Sequence, residues 1–244
     1  MKPNKSIVIL QSNYIPWKGY FDLLAAADEF LIFDEVQYTR RDWRNRNKVI
    51  VAGQPQWLTI PVQSKGRYDT PIDQMEIVDP VWAEKHWATI ALNYRKAPFY
   101  SEIAPVLEPL YIGVAHIQKL SEINELFLRA LANTLDIQTA ISRANNVPRT
   151  TDDPTDRLIE ICLARGATTY ISGPAAKAYL DKAKFDAVGI DLKFADYSGY
   201  PVYDQGTAAF EHGVSIIDLL MQCGPAARAQ LKSFSNRQSF LQES

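Results

Sequence analysis

Ten consecutive residues, Thr39 to Lys48 in the order TRRDWRNRNK, carry five cations: Arg40, Arg41, Arg44, Arg46 and Lys48, interleaved with Asp42, Trp43, Asn45 and Asn47. The planar fork of arginine suits bidentate contact with phosphate or carboxylate. The segment is therefore a candidate site for a phosphorylated small molecule such as a sugar nucleotide; the opposing reading is a solvated charged loop. Just before it stands Asp34-Glu35-Val36-Gln37, at the end of an apolar run. A carboxylate there has three jobs open to it: to bind ribose hydroxyls, to take the proton of an attacking amine, or to pair with the arginines that follow.

A second polar cluster, Gln11-Ser12-Asn13-Tyr14, follows the apolar run Ile7 to Leu10 and precedes the helical pattern that begins at Pro16. At such a junction the free N–H groups of a helix start can meet an anion or a carbonyl oxygen. Gln11, Asn13, Tyr14 and Trp17 are then ligand contacts, or else Asn13 caps a helix and Trp17 fills core. A third junction, YISGPAAKAYL, ends a strand in Ser172-Gly173-Pro174 and runs into a helix with Lys177 in its first turn; it reads as a second anion site or as a plain capped helix. Among three histidines, His86 shares a helical face with Trp82 and Ile90 and is a candidate proton carrier, or a satisfied core residue. No histidine pair has metal-ligand spacing, so neither metal nor cofactor is expected. GxSxG, GxGxxG and GxxxxGK[ST] are all missing, so nothing indicates covalent catalysis or a standard phosphate loop.

The elements that must hold these residues follow from hydropathy pattern. Ile7 to Leu10 and Phe30 to Phe33 are short continuous apolar runs, and Trp17, Tyr20, Phe21, Leu23, Leu24 and Ala27 recur between them at helical spacing. That is a βαβ unit, with Asp34 and Glu35 at the carboxyl edge where open α/β sheets bind ligands. Lys48 to Val51 and Gln56 to Val62 flank Ala52-Gly53 as a hairpin. Helices follow Pro80, punctuated by Pro98 and Pro105, with a stripe from Ile117 through Leu135. Ile137 to Ile141, Thr168 to Ser172 and Leu192 to Ala195 read as strands, a helix from about Pro154 to Arg165 is capped by Asp152 or Asp153, and Ser215 to Met221 opens a last apolar helix. The pattern predicts an α/β fold with a mostly parallel sheet, one domain over residues 1–244, and a mainly helical insert at about 80–136.

Composition agrees with that class. With 244 residues of which 47% are hydrophobic, the chain can bury a sizeable core. A net charge of −2 excludes a global basic field, so nucleic acid is not expected as the main partner. Cys162 and Cys223 lie in apolar helical patterns and read as small buried hydrophobes rather than a disulfide or zinc pair. No run approaches the roughly 18 apolar residues of a membrane span, and Gln11, Ser12 and Asn13 interrupt the first apolar run before a signal-peptide core forms. Cytoplasmic residence is the expectation, with the oligomeric state open.

The blocks IVILQSNYIPWKGYFDLLAAADEFLIFDEVQYTRRDWRNRNKV, WLTIPV, KHWATIALNYRKAPFY, TYISGPAAKAYLD and VSIIDLLMQCG, collinear over nearly the whole chain, resemble the WbqC-like family. That resemblance implies a place in O-antigen or other surface-polysaccharide biosynthesis, and for the namesake the attachment of glycine to an amino sugar. Carried over by position, the family's polar blocks fall on Gln11, Asn13, Tyr14, Pro16, Trp17 and Gly19; on Asp34, Val36, Gln37, Arg41, Trp43, Arg44, Asn45 and Arg46; and on Ser172, Gly173 and Pro174. Near the end, YDQGTAAFEHGVSIID departs from the family's Tyr-Pro-Gln pattern, and Tyr203, Gln205, Phe210, Ser215 and Asp218 carry over. A looser likeness to the HUP class of nucleotide-binding folds meets WKGY where an HxGH loop would stand, with Trp17 and Tyr20 replacing both histidines. The resulting expectation is a transferase that acylates, in one version glycylates, a nucleotide-linked amino sugar. Asp34 and His86 are its candidate proton acceptors. The contacts to substrate and phosphate are Gln11, Asn13, Tyr14, Trp17, Gln37, Arg41, Arg44, Asn45, Arg46, Ser172, Gly173 and Lys177. The alternatives are a HUP-like adenylate-forming or nucleotidyl-transferring enzyme, and a non-catalytic sugar-nucleotide-binding protein.

Overall fold

Strands that are apolar on both faces need cover above and below, which a parallel sheet between helices provides. In the computed structural model, which describes residues 4–243, the chain runs β1 (Ser6–Leu10), α1 (Lys18–Ala25) and β2 (Glu29–Ile32). A hairpin of β3 (Arg46–Val51) and β4 (Gln54–Thr59) comes next, then α2 (Trp82–Tyr94), α3 (Tyr100–Val114) and α4 (Leu120–Thr134). The α/β alternation resumes with β5 (Ala140–Arg143), α5 (Pro154–Ala164), β6 (Thr169–Ser172), α6 (Lys182–Ala187) and β7 (Asp191–Ala195). It closes with α7 (Ile216–Cys223), α8 (Lys232–Phe240) and β8 (Leu241–Glu243). Six strands form one sheet in the order β5-β2-β1-β6-β7-β8. The first five are parallel and β8 is antiparallel at the edge.

This is the expected α/β class, with a mostly parallel sheet flanked by helices. The five parallel strands, taken in chain order, follow the 3-2-1-4-5 sequence of doubly wound sheets, which puts the reversal of direction between β1 and β6. Successive residues of β1 serve opposite faces. Ile7 and Ile9 join Leu158, Cys162, Tyr170 and Phe185 on one side, while Val8 joins Phe21, Leu24 and the α2 to α4 helices on the other. Burial of both cysteines' surroundings differs: Cys162 is buried and Cys223 half-buried, and both are free thiols.

Several boundaries depart from the sequence reading, each for a local reason. The strand expected from Ile137 begins only at Ala140, because α4 ends with Asp136 at φ +52°. The Ile137 amide then closes back on the Ala132 carbonyl at 2.9 Å and that of Asp136 on Asn133 at 3.0 Å, a Schellman closure that consumes those donors. Pro105 lies inside α3, together with Pro109. Both prolines face solvent, where water can serve the carbonyls they leave unpaired. After Gly173 the chain makes a 3-10 helix, Pro174–Ala178, and the α-helix waits until α6. Asp153 caps α5, accepting from the Asp156 amide at 2.9 Å. No helix among the described residues is long and apolar enough to cross a membrane.

Candidate functional site

The carboxyl ends of β1, β2 and β6 deliver Gln11, Phe33 and Ser172 to one edge of the sheet. Between β1 and β6, at the reversal of strand order, lies a cavity of about 420 Å³ lined by Leu10, Gln11, Phe33, Val36, Arg149, Arg157, Tyr170, Ser172 and Tyr179. Apolar walls with a few polar groups at the rim describe a site for a small organic ligand. Wider grooves of about 640 and 710 Å³ lie beside the hairpin turn and at the amino ends of β1 and β6, away from the edge that open α/β sheets use.

The arginine segment folds directly onto the Gln11–Tyr14 loop. Arg44 spreads its fork over two amide oxygens, with Nη2 donating to Gln11 Oε1 at 2.9 Å and Nη1 to Asn13 Oδ1. Its nearest carboxylate is Asp42, 3.5 Å away. The Tyr14 amide donates to the Trp43 carbonyl at 3.1 Å, and Asn47 Nδ2 donates to the carbonyls of Tyr14 and Ile15 at 3.3 and 2.9 Å. These bonds hold Ile15, a buried β-branched residue, at φ +36°. Such a conformation persists only where its surroundings enforce it, and it concentrates at functional loops. Gln11 thus belongs to both features: it lines the cavity, and it accepts from Arg44.

Beneath these loops sits a buried polar network. Asp34 Oδ1 accepts from the Ser12 amide at 2.7 Å and its Oδ2 from the Ser121 hydroxyl. Asn124 Nδ2 donates to Ser12 Oγ at 3.0 Å and to the Arg44 carbonyl at 2.8 Å. Helix α4 therefore clamps both loops from below. The neighbouring acid, Glu35, accepts from Nε and Nη2 of the buried Arg157, each at 2.8 Å. Arg157 is further satisfied by the carbonyls of Val147 and Pro148.

The remaining predicted residues are spread more widely. Tyr14 is fully buried, its hydroxyl 2.9 Å from His86 Nδ1 and 2.7 Å from the Tyr111 hydroxyl. Burial pushes the Tyr14 phenol well above its usual range and pulls the His86 imidazole down to about 4, so His86 is neutral at pH 7. His86 does not line the cavity. The Trp17 indole folds back over Gly19, where an added Cβ would come within 2.3 Å of its ring, and packs edge-on against Tyr197 and Tyr200. Asn45 is buried and donates to the Ile60 carbonyl at 2.7 Å, while exposed Gln37 donates to the Tyr68 carbonyl at 2.7 Å. Arg41, exposed at φ +60°, has no ion-pair partner among the described residues. Arg46 donates to the Arg41 carbonyl and lies over the Trp57 ring, 4.2 Å from its centroid. Ser172 reaches the cavity with Gly173 beside it, whereas Lys177 lies over the Phe194 ring, off the cavity wall. The described residues contain no cluster of histidine, cysteine and carboxylate fit to hold a metal ion.

The chain matches the model of the WbqC-like protein family over residues 11–230, a span that includes both polar loops. The chain belongs to the WbqC-like family. A similar curated protein is the uncharacterized protein Rv1507c of Mycobacterium tuberculosis, 42% identical over 228 residues that span 93% of this chain and 98% of that one. No solved structure matches. For this WbqC-like chain, sequence reasoning missed Ser121, Asn124 and Arg157. Ser121 and Asn124 interrupt the buried face of α4 at a spacing of three, and polar residues at core positions of an amphipathic helix were the available signal. Arg157 gave none, because its partner Glu35 lies 122 residues away in the chain.

Proposed function

We propose that this WbqC-like protein binds a phosphorylated small metabolite across the carboxyl edge of its sheet and acylates an amine on it. The nucleotide-linked amino sugars of surface-polysaccharide synthesis are the substrate class. The observation that carries the reading is the double engagement of Gln11, which joins the switch-point cavity to the Arg44 guanidinium. Arg44 gives its two short hydrogen bonds to neutral amide oxygens and has only the part-exposed Asp42 carboxylate near it, 3.5 Å away, so part of its charge is available to an incoming phosphate. Arg41 and Arg46 add positive charge in the same segment, and Ser172 lines the cavity from the end of β6.

In the transfer, the neutral amine attacks the carbonyl carbon of an activated acyl donor. A C–N bond forms, the bond to the leaving group breaks, and the amine proton passes to water. Holding the two reactants in place supplies much of the acceleration. Asp34 and His86 serve here as positioning residues: the first ties the Ser12 amide of the loop to Ser121 of α4, the second holds the Tyr14 hydroxyl. Their full engagement also favours a second reading, a sugar-nucleotide-binding protein without turnover.

A thermal-shift screen of nucleotides and sugar nucleotides, with Arg44→Ala alongside, tests the binding. A ligand raises the melting temperature by mass action, and Arg44→Ala shrinks that rise. A rise of equal size in the variant refutes the anion site. Mass spectrometry of a nucleotide-linked 4-amino sugar incubated with glycyl donors separates the two readings: a mass gain of one acyl group supports transfer, and an unmodified sugar that still binds supports the second.

A further inference from the structure

Two tryptophans stand in the open beside the arginine segment. Trp43 and Trp57 are 37% and 39% exposed, and their ring centroids lie 5.1 Å apart at an interplanar angle of 43°. They come from different elements. Trp57 sits on the outward face of β4, between inward Leu58 and exposed Gln56, directly opposite Lys48 of β3. Trp43 is brought to it because its carbonyl is bonded to the Tyr14 amide. Arg46, on the same outward face, lies over the Trp57 ring at 4.2 Å, with Lys48 Nζ at 5.6 Å. A hairpin could place its large aromatics inward; here Val49 and Leu58 fill the core and the indoles remain outside.

We propose that the Trp43–Trp57 shelf is the subsite for the sugar ring of a nucleotide-linked sugar whose phosphates meet Arg44. This inference rests on the functional reading above and names the part of the ligand that reading left without a seat. Indole faces pack against the C–H face of a pyranose, which offers dispersion and a complement to the negative ring face. The flanking guanidinium of Arg46 donates to sugar hydroxyls or to the adjoining phosphate. The chemistry of a single-stranded nucleic acid, stacking plus cations, has the same ingredients. Three features favour the sugar: the net charge is −2, Asp42 and Glu211 sit among the cations, and the cations are confined to one ten-residue segment, Thr39 to Lys48.

The experiment measures binding of UDP-N-acetylglucosamine, dTDP-glucose and GDP-mannose by calorimetry, each beside its own nucleoside diphosphate. The hosts are the wild type, a Trp43→Ala/Trp57→Ala double variant and a Trp43→Phe/Trp57→Phe double variant. At least one sugar nucleotide is expected to bind the wild type about tenfold or more tighter than its diphosphate. The alanine pair should erase that preference while binding the diphosphate unchanged, and the phenylalanine pair should keep part of it. Should the alanine pair not fold, the phenylalanine pair and quenching of wild-type tryptophan fluorescence carry the comparison. Diphosphates that bind with no gain from the sugar, or a gain that survives the alanine pair, overturn the shelf and leave the anion site standing. If no nucleotide of either kind binds the wild type, the anion site fails and the shelf with it. A dT10 oligonucleotide that requires the tryptophans where the sugars do not would assign the shelf to nucleic acid and overturn the proposal.

Discussion

Replacing Asp34 by alanine takes the acceptors of two buried donors out of the interior. The Ser12 amide, 2.7 Å from Oδ1, is fixed by the backbone, while the Ser121 hydroxyl at Oδ2 can rotate. An unpaired buried donor costs about 1–3 kcal/mol. With Ser121 at the low end of that range, Asp34→Ala should destabilise the fold by about 2–4 kcal/mol. Asparagine keeps an acceptor for Ser12 and offers an N–H to Ser121 Oγ, so Asp34→Asn should lose only the charge-assisted part, about 1 kcal/mol. In a chain of this length each kcal/mol moves the melting temperature by about 2–4 °C, which makes the alanine loss readily measurable. Guanidinium unfolding at pH 7 gives the values, with an unchanged slope as the check that the native state is otherwise intact. An alanine variant within 1 kcal/mol of wild type, or an asparagine variant as damaged as the alanine one, would refute the reasoning. If Asp34 instead removes the substrate's proton, Asp34→Asn will fold and bind yet show no turnover, so the same variant tests the catalytic alternative.

His86 and Gly19 offer two further tests. Burial holds the folded His86 at about 4 against an unfolded 6.5, so above pH 6.5 both states are neutral and the residue adds no pH dependence. As pH falls from 6.5 to 4 only the unfolded chain takes up the proton, and about 3 kcal/mol of stability should be lost over that window; His86→Gln should flatten this slope in unfolding curves taken from pH 7 to 4, and an unchanged slope would count against the buried neutral ring. Gly19→Ala gains helix propensity worth about 1 kcal/mol but sets a methyl 2.3 Å from the Trp17 ring. Net destabilisation of about 1–3 kcal/mol is expected from overpacking, together with a change in near-ultraviolet circular dichroism as Trp17 leaves Tyr197 and Tyr200; a stabilised variant with an unaltered spectrum would contradict the close approach.

The sequence alone determined the elements whose causes are local. Ile7 to Leu10 and Phe30 to Ile32 are apolar on both faces, so they had to be interior strands; Asp153 before Pro154 marked a helix start; and the order of elements implied a parallel sheet with ligands at its carboxyl edge. The same order put the Gln11 and Arg44 loops after neighbouring strands, which made their meeting readable in outline. Only tertiary structure decided what each polar side chain does there. Asp34 finds Ser121 across 87 residues, and Glu35 finds Arg157 across 122, partners that no periodicity encodes. Trp17 and Trp43 both fall in the family's polar blocks, yet one folds over a glycine among tyrosines while the other is part-exposed beside Trp57. The reason is physical: hydropathy patterns report which face of an element meets the core, whereas the partner of a buried charge depends on how distant elements pack once the core has formed.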